Sequence, residues 1–313
     1  MADFTTMRII HAASELNPAG RKVCLGIGFF DGVHLGHQQI IRQTLTDARQ
    51  HDAVGLVVTF DPHPSVIVAP DRVPPLIYSP SRKLRAIEVL GADTLLLIRF
   101  DRAFSEQTGE VFVRKLARDL GRLQSLCVGA NFVFGHQRRG NVELLRKLGG
   151  ELGFTVHGMA AVALGGRTVS STRIREAIRS GDLDQASQML GRAYSLTGPV
   201  VRGDGLGRQL GFPTANLETA GLALPPHGVY AAWAQTGNLT RRAVLSIGLR
   251  PTLPNPRPQL RVEAHLLDFS GDLYGRELEV VFVERLRAEE KFASLADLQR
   301  QIARDILQAQ TRF

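Results

Sequence analysis

The most chemically pointed spacing in the chain is a pair of histidines three residues apart, in Phe30-Asp31-Gly32-Val33-His34-Leu35-Gly36-His37. On a first helical turn His34 and His37 face the same point. Two imidazoles aimed there can donate hydrogen bonds to a phosphate whose charge grows during transfer. The apolar run Val23–Gly28 precedes the string and a helical pattern follows it, so the pair sits at a strand-to-helix turn. Unpaired N–H groups at such a turn attract phosphate, and Gly32 and Gly36 let backbone approach a ligand closely. A metal pair would need a third ligand, which the neighbouring residues do not offer; two structural histidines are the plain alternative.

A second group is Ser170-Ser171-Thr172-Arg173-Ile174-Arg175, which opens another helical pattern. Its hydroxyls can cap the helix and do nothing more. Arg175, however, shares a face with Thr172, and a hydroxyl, free N–H groups and a guanidinium together make a cradle for a diphosphate tail.

The third group is glycine-dense: Gly203-Asp204-Gly205-Leu206-Gly207-Arg208-Gln209-Leu210-Gly211-Phe212-Pro213-Thr214-Ala215-Asn216. It is no dinucleotide fingerprint, because Phe212-Pro213 ends any helix, and no P-loop, because no Gly-Lys-Ser/Thr closes it. Such backbone can still fold over phosphates. Thr214 and Asn216 share one face of a strand, and their neutral oxygens suit Mg²⁺ beside substrate phosphates. An ordinary glycine-rich hairpin fits the same residues.

The elements that must position these groups change character along the chain. Strand candidates Val23–Gly28, Val54–Thr59, Thr94–Ile98 and Ser125–Gly129 alternate with helical patterns at Gly36–His51, Ser81–Leu90, Gly109–Leu120 and Val142–Leu152. That alternation reads as an α/β domain with a mainly parallel sheet, whose ligands lie beyond the carboxyl ends of the strands. Further on, Val229–Ala234, Ala243–Ile247, Val262–Leu267 and Leu278–Val283 are short runs parted by Pro251, Pro254, Asn255, Pro256, Gly271 and Gly275. These read as antiparallel strands of a barrel or sandwich. A last helix starts at N-cap Ser294, with Asp297 three residues on. The changeover lies between helix-like Asp182–Leu190 and strand-like Ser195–Arg202, which divides the chain into domains 1–186 and 187–313.

Bulk properties narrow the field. With 313 residues, two domains are the expectation. No apolar run reaches the ~20 residues needed to span a bilayer, and Met1–Lys22 has no signal-peptide core, so a cytoplasmic enzyme without a membrane partner is expected. The net charge of +8 suits anionic small molecules. Aromatics at 6% show no interleaving with a basic stripe, which argues against nucleic acid. Cys24 and Cys127 lie in apolar stretches without metal-ligand spacing and read as buried thiols.

Taken with Thr59-Phe60-Asp61-Pro62-His63-Pro64 and Val128-Gly129-Ala130-Asn131-Phe132-Val133-Phe134-Gly135, the two histidine- and serine-bearing motifs resemble the adenylyltransferase half of bacterial bifunctional riboflavin kinase/FAD synthetases. The run Thr197–Asn216, with Ile247-Gly248-Leu249-Arg250-Pro251-Thr252, Val262-Glu263-Ala264-His265 and Lys291-Phe292, resembles the riboflavin kinase half. The resemblance implies a Rossmann-like α/β nucleotidyltransferase domain, then a closed antiparallel β-barrel with a terminal helix. It implies ATP as co-substrate twice, Mg²⁺, and riboflavin, FMN and FAD as ligands. In the first half, His34 and His37 would stabilise the phosphate in transfer. Gly28, Phe30, Asp31, Gly32, Gly36, His63, Ser171, Thr172 and Arg175 would contact the nucleotide, and Asn131 would help hold the nucleotide or the flavin. His63 could equally be a turn residue of its proline-flanked loop. In the second half, Gly203, Gly205, Gly207, Arg208, Gly211 and Pro213 would fold over nucleotide and flavin, Thr214 and Asn216 would meet the metal, and Glu263 would accept the proton of the flavin hydroxyl. One departure is Ser246, where the family usually has Asn; altered contacts are expected there.

Overall fold

The computed structural model describes residues 7–249 and 260–313. Arg250, Pro251 and Thr252 of one kinase-like motif, and the turn residues Pro254, Asn255 and Pro256, lie outside the described residues. The chain forms two compact units: Met1–Pro75 with Pro80–Ser171, and Leu76–Ser79 with Thr172–Phe313.

The first unit runs β1 (Arg8–Ile10), β2 (Val23–Ile27), α1 (Leu35–Gln50), β3 (Val54–Asp61), α2 (Ser65–Val68), α3 (Pro80–Glu88), β4 (Thr94–Arg99), α4 (Arg102–Ser105), α5 (Gly109–Leu120), β5 (Leu123–Gly129), α6 (Val142–Leu152) and β6 (Thr155–Met159), then a small hairpin, β7 (Ala163–Leu164) and β8 (Arg167–Thr168). Strands β1 to β6 form one sheet in the order β1-β4-β3-β2-β5-β6, every pair parallel. Parallel pairing follows from the helical crossovers between them. All five residues of β2 are buried, as a central strand covered on both faces requires. The order reverses at β2, with β3 and β4 on one side and β5 and β6 on the other, so the ligand crevice belongs at its carboxyl end.

Helix α1 is fixed to the sheet by a buried carboxylate. Asp47 accepts from the Ser125 hydroxyl at 2.7 Å, and His157 Nε2 lies 3.3 Å away. Cys24 and Cys127 are buried free thiols near this group, as the sequence led us to expect. Burial pushes the Cys127 thiol up to about 12.

The second unit begins in α7 (Ser171–Ser180) and α8 (Leu183–Leu190) and continues through β9 (Ser195–Val201), α9 (Leu206–Gln209), β10 (Ala215–Leu217), β11 (Gly228–Thr236), β12 (Leu239–Gly248), β13 (Arg261–Leu266), β14 (Glu277–Ala288) and α10 (Leu295–Gln310). The six strands close as an antiparallel barrel, β10-β13-β12-β11-β14-β9. Closure leaves no sheet edge exposed to stray pairing. Ser294 caps α10 as expected, its hydroxyl accepting from Asp297 N at 3.1 Å. The helix packs on the barrel and is held by a bidentate ion pair, Arg287 Nε and Nη2 to Asp305 at 2.8 and 2.7 Å.

Candidate active sites

The first site grows from the end of β2. Gly28 has no room for a Cβ, which would lie 2.5 Å from the Phe30 ring. Phe30 takes a left-handed backbone (φ 52°), and the turn Asp31–Val33 carries Gly32 at φ 75°. Expected among the nucleotide contacts, Phe30 has no exposed surface; its side chain instead packs edge-on against His37, with centroids 5.3 Å apart. His34 is the N-cap of α1, its Nδ1 accepting from His37 N at 3.4 Å. The two imidazoles stack 3.6 Å apart, and a Cβ on Gly36 would crowd the His34 ring. The Ser171 hydroxyl, at the last residue of the first unit, donates to the Asp31 carbonyl at 3.2 Å. Thr172, exposed, and Arg175, almost wholly buried, follow on α7.

Neighbouring strand ends complete the crevice. After β3, the Asp61-Pro62 peptide is cis, and His63 Nδ1 accepts from Ser65 N at 3.2 Å. After β5, exposed Asn131 sits in a turn closed by Phe132 N to the Gly129 carbonyl at 2.9 Å.

Two features of this unit escaped the sequence reading. One is Lys83 on α3, a helix packed against the Asp31–Val33 turn. Its Nζ donates to the Phe60 carbonyl at 3.0 Å. Burial lowers its ammonium below the usual lysine value, while Asp61 and Asp31 pull it back up. The other is a cleft of about 530 Å³ walled by phenylalanines, among them Phe29, Phe60, Phe104, Phe132 and Phe134, with His63 on its wall. Phe132 and Phe134 stack 5.4 Å apart. A cavity so lined takes a flat aromatic ring system. A sequence signal existed: a phenylalanine stands at or just beyond the carboxyl end of each of β2, β3, β4 and β5, at Phe29, Phe60, Phe100 and Phe132.

The second site lies in the barrel. Asn216 on β10 is paired directly with Glu263 on β13, and Glu263 with Ser246 on β12, so three polar side chains line up across three strands. Thr214 stands two residues before Asn216, at the head of β10. The glycine-dense segment folds against these residues. A Cβ on Gly203 would meet the Asn216 amide at 2.4 Å, and one on Gly207 would meet the Phe212 carbonyl at 2.5 Å and Thr214 Oγ1 at 3.1 Å. Gly205 and Gly211 adopt φ 73° and 88° on either side of the turn α9, which bears exposed Arg208. The segment is therefore no simple hairpin. It is tied down by Asp204 with Arg261 at 2.8 Å and by Gln299 of α10, which donates to the Leu210 carbonyl at 3.0 Å. The Pro213 carbonyl accepts from His265 Nδ1 at 2.8 Å. A cavity of about 150 Å³ opens here, bordered by Gly207, Thr214, Ser246, Glu263 and Phe292. Ser246 does face Glu263, so its replacement of the family's Asn falls beside the carboxylate.

Two family profiles match the chain: one described as FAD synthetase over residues 17–173, the other as riboflavin kinase over residues 190–313. A protein of Escherichia coli (strain K12), "Bifunctional riboflavin kinase/FMN adenylyltransferase", is 39% identical over 98% of each chain. The chain belongs to this bifunctional family. A Bacillus subtilis (strain 168) member of the same description is 32% identical over 96% of this chain and 95% of its own. A solved structure described as a macrolide-efflux protein from Streptococcus pneumoniae has TM-score 0.80 at 27% identity, covering 97% of this chain and 99% of that one. Both units of the family fold are thus present in order. Among the described residues no helix is long and apolar enough to cross a membrane.

Proposed function

We infer that the chain makes FMN from riboflavin and ATP in its barrel, and FAD from FMN and a second ATP in its parallel-sheet unit. The observation that carries this is the joining in one chain of two family-matched units whose reactions follow one another, each with a polar constellation suited to its step.

In the barrel, Glu263 takes the proton of the riboflavin 5′-hydroxyl as that oxygen attacks the γ-phosphorus; the bond to the β-phosphate oxygen breaks and ADP leaves. A primary alcohol is a poor nucleophile until its proton has somewhere to go. Gly203, Gly205, Gly207 and Gly211 allow the segment to close over the nucleotide, with Arg208 and Pro213 beside it. The fit for Mg²⁺ rests on the donors: Thr214 and Asn216 offer neutral oxygens, held by the close-packed Gly207 and Gly203. Hard oxygen ligands with substrate phosphates are how this ion is commonly bound, and when bound it neutralises charge on the phosphates.

In the sheet unit, an FMN phosphate oxygen attacks the α-phosphorus of ATP and pyrophosphate leaves. The nucleophile is already an anion, so no base is required. His34 and His37 donate to the phosphoryl group as its charge rises. Gly28, Asp31, Gly32, Gly36, His63 and Asn131 border the nucleotide, while Ser171, the last residue of this unit, meets the departing pyrophosphate. The isoalloxazine ring enters the phenylalanine cleft. Dependence on ATP and two unpaired thiols fit a reducing, cytoplasmic setting.

Incubation of the protein with riboflavin, ATP and Mg²⁺, with flavins separated over time, tests the reading. FMN should rise first and FAD follow, with one pyrophosphate per FAD. FMN accumulating without FAD would sink the adenylyltransferase half, and no FMN would sink the kinase half.

A further inference from the structure

One side chain in the phenylalanine cleft stands apart from the rest. Arg138 lines it, and no Asp or Glu does among the described residues. Its guanidinium has no hydrogen-bond or ion-pair partner among the described residues. Arg138 is exposed at the edge of this apolar cleft, and a guanidinium there without a balancing carboxylate is suited to a ligand rich in acceptor oxygens.

The backbone holds Arg138 there at some cost. Gln137 and Arg138 have φ of 53° and 60°, a left-handed conformation that side-chain-bearing residues rarely adopt, and Gly135 before them has φ 71°. Strain of this kind persists where the surroundings over-determine it, and it gathers at ligand sites. Here the surroundings are explicit. Phe134 and Gly140 exchange two backbone hydrogen bonds, at 3.0 and 2.9 Å, closing the loop that carries Arg138. His136 N donates to the Gln107 carbonyl at 2.8 Å. Gly135 lies so close to Gly109 that a Cβ would come within 2.4 Å of its nitrogen. The turn and the stacked Phe132 and Phe134 therefore form one fixed mouth.

An isoalloxazine ring is two-ended. Its dimethylbenzene end is apolar, and its other end is a pyrimidinedione with two carbonyls. The phenylalanines suit the first end, and Arg138, the only arginine on the lining among the described residues, suits the second. We propose that Arg138 donates hydrogen bonds to the dione edge of the flavin and so sets the affinity of the adenylyltransferase site for FMN. The proposal rests on the reading of this cleft as the flavin site.

The test uses the full chain with Arg138→Gly, which relieves the left-handed strain, and Arg138→Ala. Phe104→Ala, at another residue of the lining, serves as a control for the cleft itself. FAD formation is followed against FMN and against ATP. Lumiflavin, which has the ring but neither ribityl chain nor phosphate, is the competing inhibitor, and the KM for ATP in FAD formation, a property of the same unit, reports that the unit is folded. Both Arg138 variants should raise the KM for FMN and the Ki for lumiflavin by about tenfold, the scale of a charge-assisted hydrogen bond. The KM for ATP, the kinase rate and, for Arg138→Gly, the thermal midpoint should not fall or worsen. A higher KM for FMN with unchanged lumiflavin inhibition would move Arg138 to the phosphate and overturn the proposal. An effect of Phe104→Ala with none of Arg138 would overturn it while leaving the cleft as the flavin site. If neither residue mattered to FMN or lumiflavin, the flavin reading of the cleft would itself fall.

Discussion

His34 and His37 lie with their rings stacked 3.6 Å apart and 18° from parallel, the first capping the helix that carries the second. His34 thus holds the start of the helix, a capping duty that His37 does not share. His34→Ala should lower FAD formation from FMN by about 10²–10³-fold and also cost about 1 kcal/mol of stability through the lost cap. His37→Ala should match the loss of rate and leave the thermal midpoint near that of the parent. Steady-state assays beside thermal melts separate the two effects.

The glycine segment of the barrel makes a sharper demand on space. Gly207→Ala would drive a methyl into the Phe212 carbonyl, which is backbone and cannot step aside, and Gly203→Ala would push Asn216 from its place beside Glu263. Each should reduce riboflavin phosphorylation at least about tenfold, since small displacements of positioned groups cost that much. FAD formation from supplied FMN should be unaffected, and assays with each flavin separately check this.

The Arg287–Asp305 pair joins β14 to α10, with the aspartate side chain only 3% exposed. Asp305→Ala strands a largely buried guanidinium and should destabilise the barrel unit by about 3–5 kcal/mol. Replacing both partners by apolar residues should recover most of that loss. Urea unfolding of the single and double variants reads the difference.

Burial raises the Cys127 thiol from 9.0 to about 12, so in the folded chain it keeps its proton where the unfolded chain has lost it. The native state then holds more protons than the unfolded state between pH 9 and 12, and stability must fall as pH rises through that window. The full slope is about 1.4 kcal/mol per pH unit for one such group. Cys127→Ala should flatten the alkaline decline above pH 9, measured by chemical denaturation at stepped pH.

Much of this was legible in the residues because local rules and tertiary demands agree. The spans Gly109–Leu120 and Val142–Leu152 are both helices at those bounds, and β2, β3, β4 and β5 each sit on an apolar run bounded by turn residues. His34 and His37 could be placed because a strand-to-helix turn fixes where they must point. Asn216 and Glu263 were different: 47 positions apart in the chain, they become neighbours only through β10–β13 pairing, which no local spacing encodes. The phenylalanine cleft was missed for a related reason. Its walls come from several separate segments, and each phenylalanine taken alone reads as ordinary core. Lys83 gave no signal at all, since a lysine on a short amphipathic helix looks exposed until α3 is packed against the histidine turn.

The central claim is that the two reactions belong to two separate sites in one chain, and cross-complementation of two variants tests it most directly. Glu263→Ala should fail to phosphorylate riboflavin yet convert supplied FMN to FAD. The double variant His34→Ala, His37→Ala should make FMN and stop there. Mixed in one vessel with riboflavin, ATP and Mg²⁺, the two should restore FAD. A folded variant of either kind that lost both activities, or a mixture that made no FAD, would contradict the account.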